Sequence, residues 1–317
     1  MKNDSQCLIS IIICTYNRCE SLKDTLNSLL NQDCYGHFNF EIIVVDNNSK
    51  DKTKETVEFY MNKFRGSLKY LFEPRQGKPY ALNTGIEEAR GEILAFTDDD
   101  CIVDQNYITS IYNAFLNCGS EIGILGGKIF PKWSCKDIPK WLMDFFHGPL
   151  GLLDYGNKTF IIDCSRPDYN KRLFYGANIA FRKKVLDKFG SFKLDQIYAQ
   201  DTEMCLRLFK SGVKGIYAPT VKVFHKIPIE HMKPRYFYKW FYRRGKFWEY
   251  IEGFKMIEKY KTKFYYPCGI PIWVIKRFLK EMSKSLFMFS HYHRIYHRCK
   301  SYYYLGRMVE IFNDKSI

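Results

Sequence analysis

The 317-residue sequence contains no run of about 18 apolar residues, which is the length that a helix needs to cross a bilayer. Its 20 glycines and 11 prolines are too few for a collagen-like or low-complexity chain. A hydrophobic fraction of 46% and a charged fraction of 26% exclude a disordered chain and indicate a globular protein with a sizeable core. Residues 1–6 are polar and lack the pattern of a signal peptide, so we expect a cytoplasmic protein.

The cysteines show no metal-binding or redox pattern. No C-x-x-C pair occurs, which argues against a thiolate zinc site or a thioredoxin-like motif. Their number is odd and their spacing irregular, so we expect free thiols in a reducing compartment. The eleven positions are Cys7, Cys14, Cys19, Cys34, Cys101, Cys118, Cys135, Cys164, Cys205, Cys268 and Cys299.

Two common nucleotide-binding loops are also missing. No Walker loop and no G-x-G-x-x-G occurs, which argues against a P-loop kinase and against a nicotinamide-dependent dehydrogenase. The pairs Gly77-Lys78 and Thr84-Gly85 are weak signals that helix packing explains equally well.

Positive charge is concentrated at the C-terminal end of the sequence. Residues 226–317 contain 20 Lys and Arg against 7 Asp and Glu, a net charge of +13 out of +15 for the whole chain. The same stretch holds 24 of the 55 aromatic residues. This change in composition predicts a second structural unit that has an anionic partner.

Short apolar runs alternate with helical patterns in the first 130 residues. Such alternation predicts parallel βαβ units, in which strands buried on both faces are apolar throughout. We predict strands at 8–14, 40–45, 68–72, 92–96 and 122–130. Further strands are expected at 173–181, 213–218 and 221–225, and helices at 202–209, at 235–260 and from Pro271 onward.

Polar residues follow three of these strands. In parallel sheets the ligand lies outside the carboxyl ends of the strands, and Thr15, Asp46 and the triplet Asp98-Asp99-Asp100 occupy such positions. Three adjacent carboxylates repel one another unless a cation is near, and Mg²⁺ or Mn²⁺ bridging substrate phosphates would supply it. The alternative is a solvated turn that caps the next helix.

Two later features are ambiguous by themselves. The segment Gln200-Asp201-Thr202-Glu203 precedes a predicted helix, and taken alone it is better explained as an acidic N-cap. A single histidine such as His225 is more often structural than a metal ligand. Beside an acidic cluster it becomes a candidate, because imidazole and carboxylate together suit Mn²⁺.

Taken together, the motifs resemble glycosyltransferase family 2 with the GT-A fold. The resemblance covers roughly residues 8–225, and each motif is weak alone whereas the set in this order is specific. The motifs lie at 11–18 (IIICTYNR), 44–49 (VVDNNS), 96–100 (FTDDD), 176–182 (GANIAFR), 200–203 (QDTE) and 223–225 (VFH, with Pro219 before it).

The resemblance implies a role for each matched residue. Asp100 and His225 would hold Mn²⁺ or Mg²⁺, and Asp201 would be the general base. Gly176, Ala177, Asn178 and Gln200 would border a saccharide or lipid-linked acceptor. The nucleotide-sugar donor would be bound by Thr15, Tyr16, Asn17, Arg18, Asp46, Asn48, Lys78, Asp98 and Asp99.

The implied enzyme is an inverting transferase of the hexosyl type that moves one sugar per event, with UDP as the default nucleotide. The Gln-x-x-Arg-Trp motif of processive synthases is absent. Two positions depart from the family pattern: Cys14 replaces a usual proline, and Gln200 stands where glutamate is commoner.

The resemblance also implies an architecture. We expect an α/β protein with a Rossmann-like GT-A domain at 1–225, built on a mixed, mostly parallel sheet flanked by helices. Its nucleotide-sugar half would span about 1–130 and its acceptor half about 131–225. A helical extension would follow at 226–317.

Two other functional classes remain open at this point. A nucleotidyltransferase shares the sheet and the acidic site, but it usually carries a glycine-rich basic loop after the first strand. The basic aromatic region at 226–317 would suit nucleic acid, yet no recognised nucleic-acid motif accompanies it, so we expect no such partner.

The same region would also suit the inner face of a membrane, with peripheral attachment of the enzyme. The helix from Pro271 carries an apolar stripe, with Trp273 and Phe278 near it and several Lys and Arg beside it. A helical subdomain that merely packs on the catalytic domain is an equal alternative.

Overall fold

The computed structural model describes residues 9–33, 39–64, 66–142, 146–196, 198–259 and 270–313, with the side chains of 248–259 and 313 excepted. The chain divides into two compact units, one comprising Met1–Lys132 and Gly151–Lys226 and the other comprising Trp133–Leu150 and Ile227–Ile317. Residues 1–6, Cys7, Cys34 and Cys268, which entered the sequence analysis, lie outside the described residues. The other eight cysteines are free thiols.

The strands of the described chain form one sheet. They are β1 (Ile9–Thr15), β2 (Phe40–Asp46), β3 (Leu68–Phe72), β4 (Ile93–Asp98), β5 (Cys101–Val103), β6 (Ile122–Trp133), β7 (Phe160–Ile162), β8 (Ile179–Arg182) and β9 (Lys214–Ile227). The five strands predicted in the first 130 residues correspond to β1, β2, β3, β4 and β6. Strands β5 and β7 have three residues each, which is too short to produce a sequence pattern.

Helices connect and follow the strands. They are α1 (Cys19–Leu30), α2 (Thr53–Lys63), α3 (Lys78–Glu88), α4 (Tyr107–Leu116), α5 (Lys183–Phe189), α6 (Gln200–Lys210), α7 (Pro234–Lys259), α8 (Ile272–Phe287) and α9 (His291–Asn313). The residues Gln200 to Glu203, predicted to precede a helix, form the first turn of α6 instead. Helix α9 was not predicted, because its apolar residues do not fall on one stripe.

The sheet has a parallel half and an antiparallel half. Its order is β3-β2-β1-β4-β8-β6-β9-β5, with β7 also paired to β9. Strands β3, β2, β1 and β4 run parallel, whereas β8 is antiparallel to both β4 and β6. Ile11, Ile12 and Ile13 of β1 have no exposed surface, because this central strand is covered on both faces. The predicted α/β class, with a mixed sheet flanked by helices and with C-terminal helices, is confirmed.

Three strand predictions after residue 170 were wrong in extent. The strand predicted at 173–181 is a 3-10 helix, Gly176–Asn178, followed by the four-residue β8. The two strands predicted at 213–218 and 221–225 are the single strand β9. Proline has no N–H to donate to a neighbouring strand, so it usually interrupts a strand inside a sheet. Pro219 is tolerated within β9 because it lies between the part that pairs with β7 and the part that pairs with β5.

The second unit is built on helices and aromatic rings. Trp141, Phe146 and Phe237 contact one another with ring centroids 4.6 to 5.7 Å apart. These contacts explain why Trp133–Leu150 belongs to this unit, although the sequence analysis placed it within 131–225. The functional division of the chain at 130 and 225 stays a prediction. Among the described helices, none has both the length and the apolar character that a membrane span requires.

Two glycines allow α7 and α9 to cross closely. A Cβ atom on Gly245 would overlap the carbonyl oxygen of Tyr303, and a Cβ atom on Gly306 would overlap the carbonyl oxygen of Tyr242. Backbone atoms cannot move aside as the end of a side chain can. Each helix therefore requires the absence of a side chain at the crossing point.

We expect Gly245→Ala or Gly306→Ala to lower the free energy of unfolding by about 1–3 kcal/mol, the usual cost of overpacking. Urea unfolding followed by circular dichroism measures the change. Gly119→Ala is the control, because its Cβ would meet only the carboxylate end of the Glu121 side chain. Wild-type stability in both helix variants would show that the two helices separate without cost.

Candidate active site

Strand register brings three polar strand ends to one edge of the sheet. Thr15 at the end of β1 pairs with Asp46 at the end of β2, and the neighbouring Cys14 pairs with Asp98 at the end of β4. The predicted convergence of these residues is therefore observed. The edge lies at the carboxyl ends of the parallel strands, where ligands of open α/β sheets bind.

Each carboxylate of the triplet has its own partners. Asp98 accepts a hydrogen bond from Lys78 Nζ at 2.6 Å. Asp99 is buried and accepts from Thr15 Oγ1 at 2.8 Å. The guanidinium of Arg18 contacts both Asp99 and Asp100, with its Nη1 3.1 Å from Asp99 Oδ1 and 2.6 Å from Asp100 Oδ2. Arg18 and Lys78 thus supply cations that the sequence analysis had assigned to a metal alone.

These surroundings raise the pKa values of Asp99 and Lys78 and lower that of Asp100. Burial raises the pKa of Asp99 to about 6, although the charge of Arg18 opposes the rise. Burial would also raise the pKa of Asp100, but the hydrogen bond and charge of His225, followed by the charge of Arg18, lower it below the ordinary value. Burial would lower the pKa of Lys78, but Asp98, with smaller contributions from Cys14 and Asp201, raises it.

Asp100 and His225 form the candidate cation site. The pairing of Cys101 with His225 joins β5 to β9 and leaves His225 Nε2 3.4 Å from Asp100 Oδ1. Carboxylate and imidazole together suit Mn²⁺ or a similar ion. Among the described residues, no three His, Cys, Asp or Glu side chains form a group that could hold a metal. Two protein ligands fit an ion whose coordination is completed by substrate phosphates and water.

Asp46 ends β2 and is buried, with 2% of its surface exposed. Its Oδ1 accepts the backbone N–H of Ser49 at 2.9 Å, and its Oδ2 accepts the hydroxyl of Tyr70, also at 2.9 Å. A carboxylate has about four lone-pair sites, so both oxygens can accept a further bond from a ligand. Tyr70 was not among the predicted site residues, because one tyrosine in a short strand carries no recognisable signal.

The loop after β1 is tied to the loop after β2. The N–H of Asn17 donates to Ser49 Oγ, and the N–H of Lys50 donates to Asn17 Oδ1. Asn17 and Asn48 both have positive φ angles, of 51° and 66°, which asparagine tolerates better than most residues. These bonds hold the two loops together, and the predicted residue Tyr16, in the first of them, is exposed.

A third loop positions Lys78, and the residues that hold it were not predicted from the sequence. Asn47 Nδ2 donates to the carbonyl oxygens of Glu73 and Arg75, and its Oδ1 accepts the N–H of Gly77. Gly77 has a φ angle of +143°, which residues with a side chain rarely adopt. The amide of Asn47 therefore directs the loop that precedes α3.

The candidate base Asp201 is held by two backbone groups. Its Oδ2 accepts the N–H of Gly176 at 2.9 Å, and its Oδ1 accepts the N–H of Thr202 at 2.7 Å. Ala199, two residues earlier, has a left-handed φ angle of 53°, a strained conformation for alanine. Glu203, the other acid of this turn, is buried and ion-paired with Lys193 and Arg207.

The predicted acceptor-side residues do not all face the same space. Ala177 accepts a hydrogen bond from Thr97 Oγ1 through its carbonyl oxygen, which joins this segment to the end of β4. Asn178 is buried and donates to the carbonyl oxygens of Lys128 and Val221. Its assignment to the acceptor site stays a prediction that its burial does not support. Gln200 is partly exposed at the start of α6.

Comparison with known families gives one match over more than half of the chain. The family described as Glycosyl transferase family 2 matches residues 10–190. That interval contains the three strand ends, the triplet and the segment beginning at Gly176.

Curated relatives share part of the chain. The Glucosyl-dolichyl phosphate glucuronosyltransferase of Haloferax volcanii is 24% identical over 229 residues, which is 69% of each chain. Three further relatives are matched over only 24% to 39% of their own length.

Solved structures share the fold. The mannosyltransferase PcManGT from Pyrobaculum calidifontis, in complex with GDP-Man and Mn²⁺, is 18% identical with a TM-score of 0.61, covering 98% of this chain and 88% of its own. Residues 1–349 of TarS from S. aureus, in complex with UDP-GlcNAc, are 18% identical with a TM-score of 0.55, covering 98% and 91%. At such identity the likeness shows the fold alone.

The network around Glu73 predicts a pH-dependent stability. Four hydrogen bonds, from Arg75 and Thr84, reach its carboxylate, and those from Arg75 chiefly hold its pKa at about 2. The unfolded chain has a glutamate pKa of about 4.3, so it binds more protons than the folded chain between these values. The stabilisation is therefore complete at neutral pH and is lost as the pH falls through this interval.

We expect Glu73→Gln to lower the free energy of unfolding at pH 7 by about 2 kcal/mol, because bonds to a charged group are the stronger ones. The difference from wild type should vanish as the pH falls from about 4.3 towards about 2. Urea unfolding at a series of pH values measures both effects. Glu58→Gln, which removes an exposed pair with Lys54, should change stability by less than about 0.5 kcal/mol. An equal loss at every pH would contradict the assignment.

Proposed function

Because the chain belongs to glycosyl transferase family 2, we propose that it transfers one hexosyl group from a nucleotide-diphosphate sugar to a hydroxyl group with inversion at the anomeric carbon. The observation that carries the proposal is the meeting of Asp46, the acidic triplet and His225 at one sheet edge. Asp201 accepts the N–H of Gly176, and the next residue, Ala177, is hydrogen-bonded to Thr97 of β4. The nucleotidyltransferase alternative loses its support, because the family assignment accounts for the same acidic site.

The donor would be held by the three loops at the sheet edge. Asp46, whose Oδ2 already accepts the hydroxyl of Tyr70, would accept hydrogen bonds from the nucleobase. Thr15, Tyr16, Asn17 and Asn48 would shape the nucleoside site, and Asp98 would reach the ribose. Arg18 and Lys78 would face the diphosphate, where their positive charges offset its negative charge. UDP remains the default nucleotide of the donor, and GDP is the alternative that the experiment below tests.

The leaving group gains negative charge as its bond to the sugar breaks. Asp100 and His225 would hold Mn²⁺ or Mg²⁺, which when bound supplies positive charge at the departing diphosphate. Arg18 already contacts Asp100 and can supply further positive charge from the protein side. Stabilisation by preorganised charge is commonly the largest contribution to such catalysis.

The acceptor hydroxyl must lose its proton as it attacks. Its oxygen forms a bond to C1 of the sugar, the bond from C1 to the diphosphate oxygen breaks, and the proton passes to Asp201. Each oxygen of Asp201 already accepts one backbone N–H, which fixes the direction of the remaining lone pairs. A single displacement of this kind inverts the anomeric centre and needs no covalent intermediate.

The acceptor is proposed to be a saccharide or a lipid-linked sugar in the assembly of a cell-surface polysaccharide or glycolipid. The name of the Haloferax volcanii relative, which refers to a glucosyl-dolichyl phosphate, supports a lipid-linked acceptor. Such an acceptor resides in a membrane. We therefore place the enzyme at the inner face of the membrane, attached peripherally through residues 226–317.

Asp100→Asn tests the proposed cation site. We expect the loss of donor turnover and of Mn²⁺-dependent protection by the donor against thermal unfolding, because a ligand that binds only the folded state raises its stability. A panel of UDP- and GDP-sugars with Mn²⁺ would identify the donor in the same assay. Asp168→Asn, which removes a carboxylate paired with Arg166 and Arg172, should retain both properties. Full turnover of the wild type in EDTA would refute metal dependence.

Asp201→Asn tests the proposed base. The variant keeps the shape of the side chain, removes its basicity and can accept only one of the two backbone N–H bonds, so turnover should fall by about 10²–10⁴-fold with little change in donor affinity. Glu203→Gln is the control: it should lower thermal stability, through its partners Lys193 and Arg207, more than it lowers turnover. Steady-state kinetics and product NMR measure rate and anomeric configuration. Retention of configuration, or a fall only in the Glu203 variant, would overturn the assignment.

A further inference from the structure

Helix α8 exposes a row of large apolar side chains. Leu279, Met282 and Leu286 lie on one side of the helix with 51%, 39% and 60% of their surface exposed, and Phe287 at its end is 77% exposed. These residues follow the helical spacing i, i+3 and i+7, which produces a stripe. The stripe is continued by Ile272 and Ile275, which are partly exposed.

The packed side of α8 is a different arc of the helix. Val274, Glu281 and Ser285 are buried there, and Glu281 Oε2 lies 2.5 Å from Nδ1 of the buried His297 on α9. The ring of Trp273, which the sequence analysis placed near the apolar stripe, lies under the guanidinium of Arg307. The stripe therefore does not serve to attach α8 to the rest of the second unit.

Basic residues border the exposed stripe on one flank. Lys276, Lys280 and Lys284, together with Arg277, are exposed on α8. The one acidic residue of this helix, Glu281, is buried beside His297. Every charge that α8 presents to solvent is therefore positive.

We propose that this surface of α8, the apolar stripe with its basic flank, binds an anionic lipid bilayer. The helix would lie in the plane of the interface, with the stripe among the acyl chains and the lysines at the headgroups. This inference deepens the membrane attachment proposed above and rests on it. Charge complementarity favours a bilayer over a second copy of the chain. Two copies packed stripe to stripe would bring their basic flanks together and repel, whereas an anionic leaflet attracts these flanks.

The test is sedimentation of the full chain with vesicles of phosphatidylglycerol and phosphatidylcholine, compared with vesicles of phosphatidylcholine alone, at low and high salt. We expect wild-type protein to bind the anionic vesicles, and the binding to weaken with salt. Lys280→Glu/Lys284→Glu should weaken it by at least about 30-fold, which corresponds to about 2 kcal/mol for two lysines near an anionic surface. Leu286→Ala/Phe287→Ala should also weaken it, by removing the inserted side chains.

Two variants elsewhere in the chain are matched to these changes. Lys184→Glu/Lys188→Glu makes the same charge change at the same spacing on the exposed side of α5. Phe59→Ala/Leu116→Ala removes one phenylalanine and one leucine that are 60% and 63% exposed on α2 and α4. Both controls should bind vesicles as the wild type does.

Several outcomes would overturn the proposal. These are negligible wild-type binding to both kinds of vesicle, equal losses in the α8 variants and the matched controls, or a self-association that the α8 variants abolish in the absence of vesicle binding. Protection of each variant by donor and Mn²⁺ against thermal unfolding is measured in parallel. Protection without vesicle binding would refute the proposed bilayer-binding surface but not the transferase function. A lack of protection in the wild type would count against the transferase function itself.

Discussion

The parallel pairing of β1 with β2 on one side and β4 on the other is the constraint on which the site depends. This register sets Thr15 beside Asp46 and Cys14 beside Asp98. The strands can meet there because most of their side chains are apolar on both faces, and the buried Ser10 and Glu41 form a hydrogen bond with each other. A shift of one residue in β1 would turn each side chain to the opposite face and separate the polar strand ends.

Once the strand ends meet, the concentration of negative charge must be compensated. The protein provides part of this compensation with Arg18 and Lys78, which contact all three carboxylates of the triplet. Both cations lie where a loop meets a helix, and the loops are held in place by Asn17 before α1 and by Asn47 before α3. The same positive groups that offset the triplet are suited to a diphosphate. The loops thus link the stability of the site to its proposed chemistry.

The second unit follows a different principle. Its helices α7 and α9 approach through Gly245 and Gly306, and α8 is attached to α9 through a buried Glu281–His297 contact rather than through its apolar stripe. Because the polar side of α8 packs against α9, the apolar side chains of Leu279, Met282 and Leu286 are exposed. An arrangement that exposes large apolar residues lowers solubility unless a partner covers them, which is why this surface is a candidate for binding a bilayer.

The sequence by itself determined the α/β class, the parallel strands and the positions of Asp46, Asp98, Asp99 and Asp100 at strand ends, because apolar runs and the polar residues that end them are local patterns. It also determined the family, through motifs such as those at 11–18 and 96–100.

Tertiary structure alone decided the partners of these residues. Arg18 reaches Asp100, His225 reaches the same carboxylate, Tyr70 reaches Asp46, and Gly176 reaches Asp201. Each of these pairs joins residues at least 24 positions apart, and local sequence patterns carry no information about such distant contacts. The exposed side of α8 was undecided for the same reason: a helical stripe can pack inward or face solvent, and only the burial of Val274, Glu281 and Ser285 shows which side is covered.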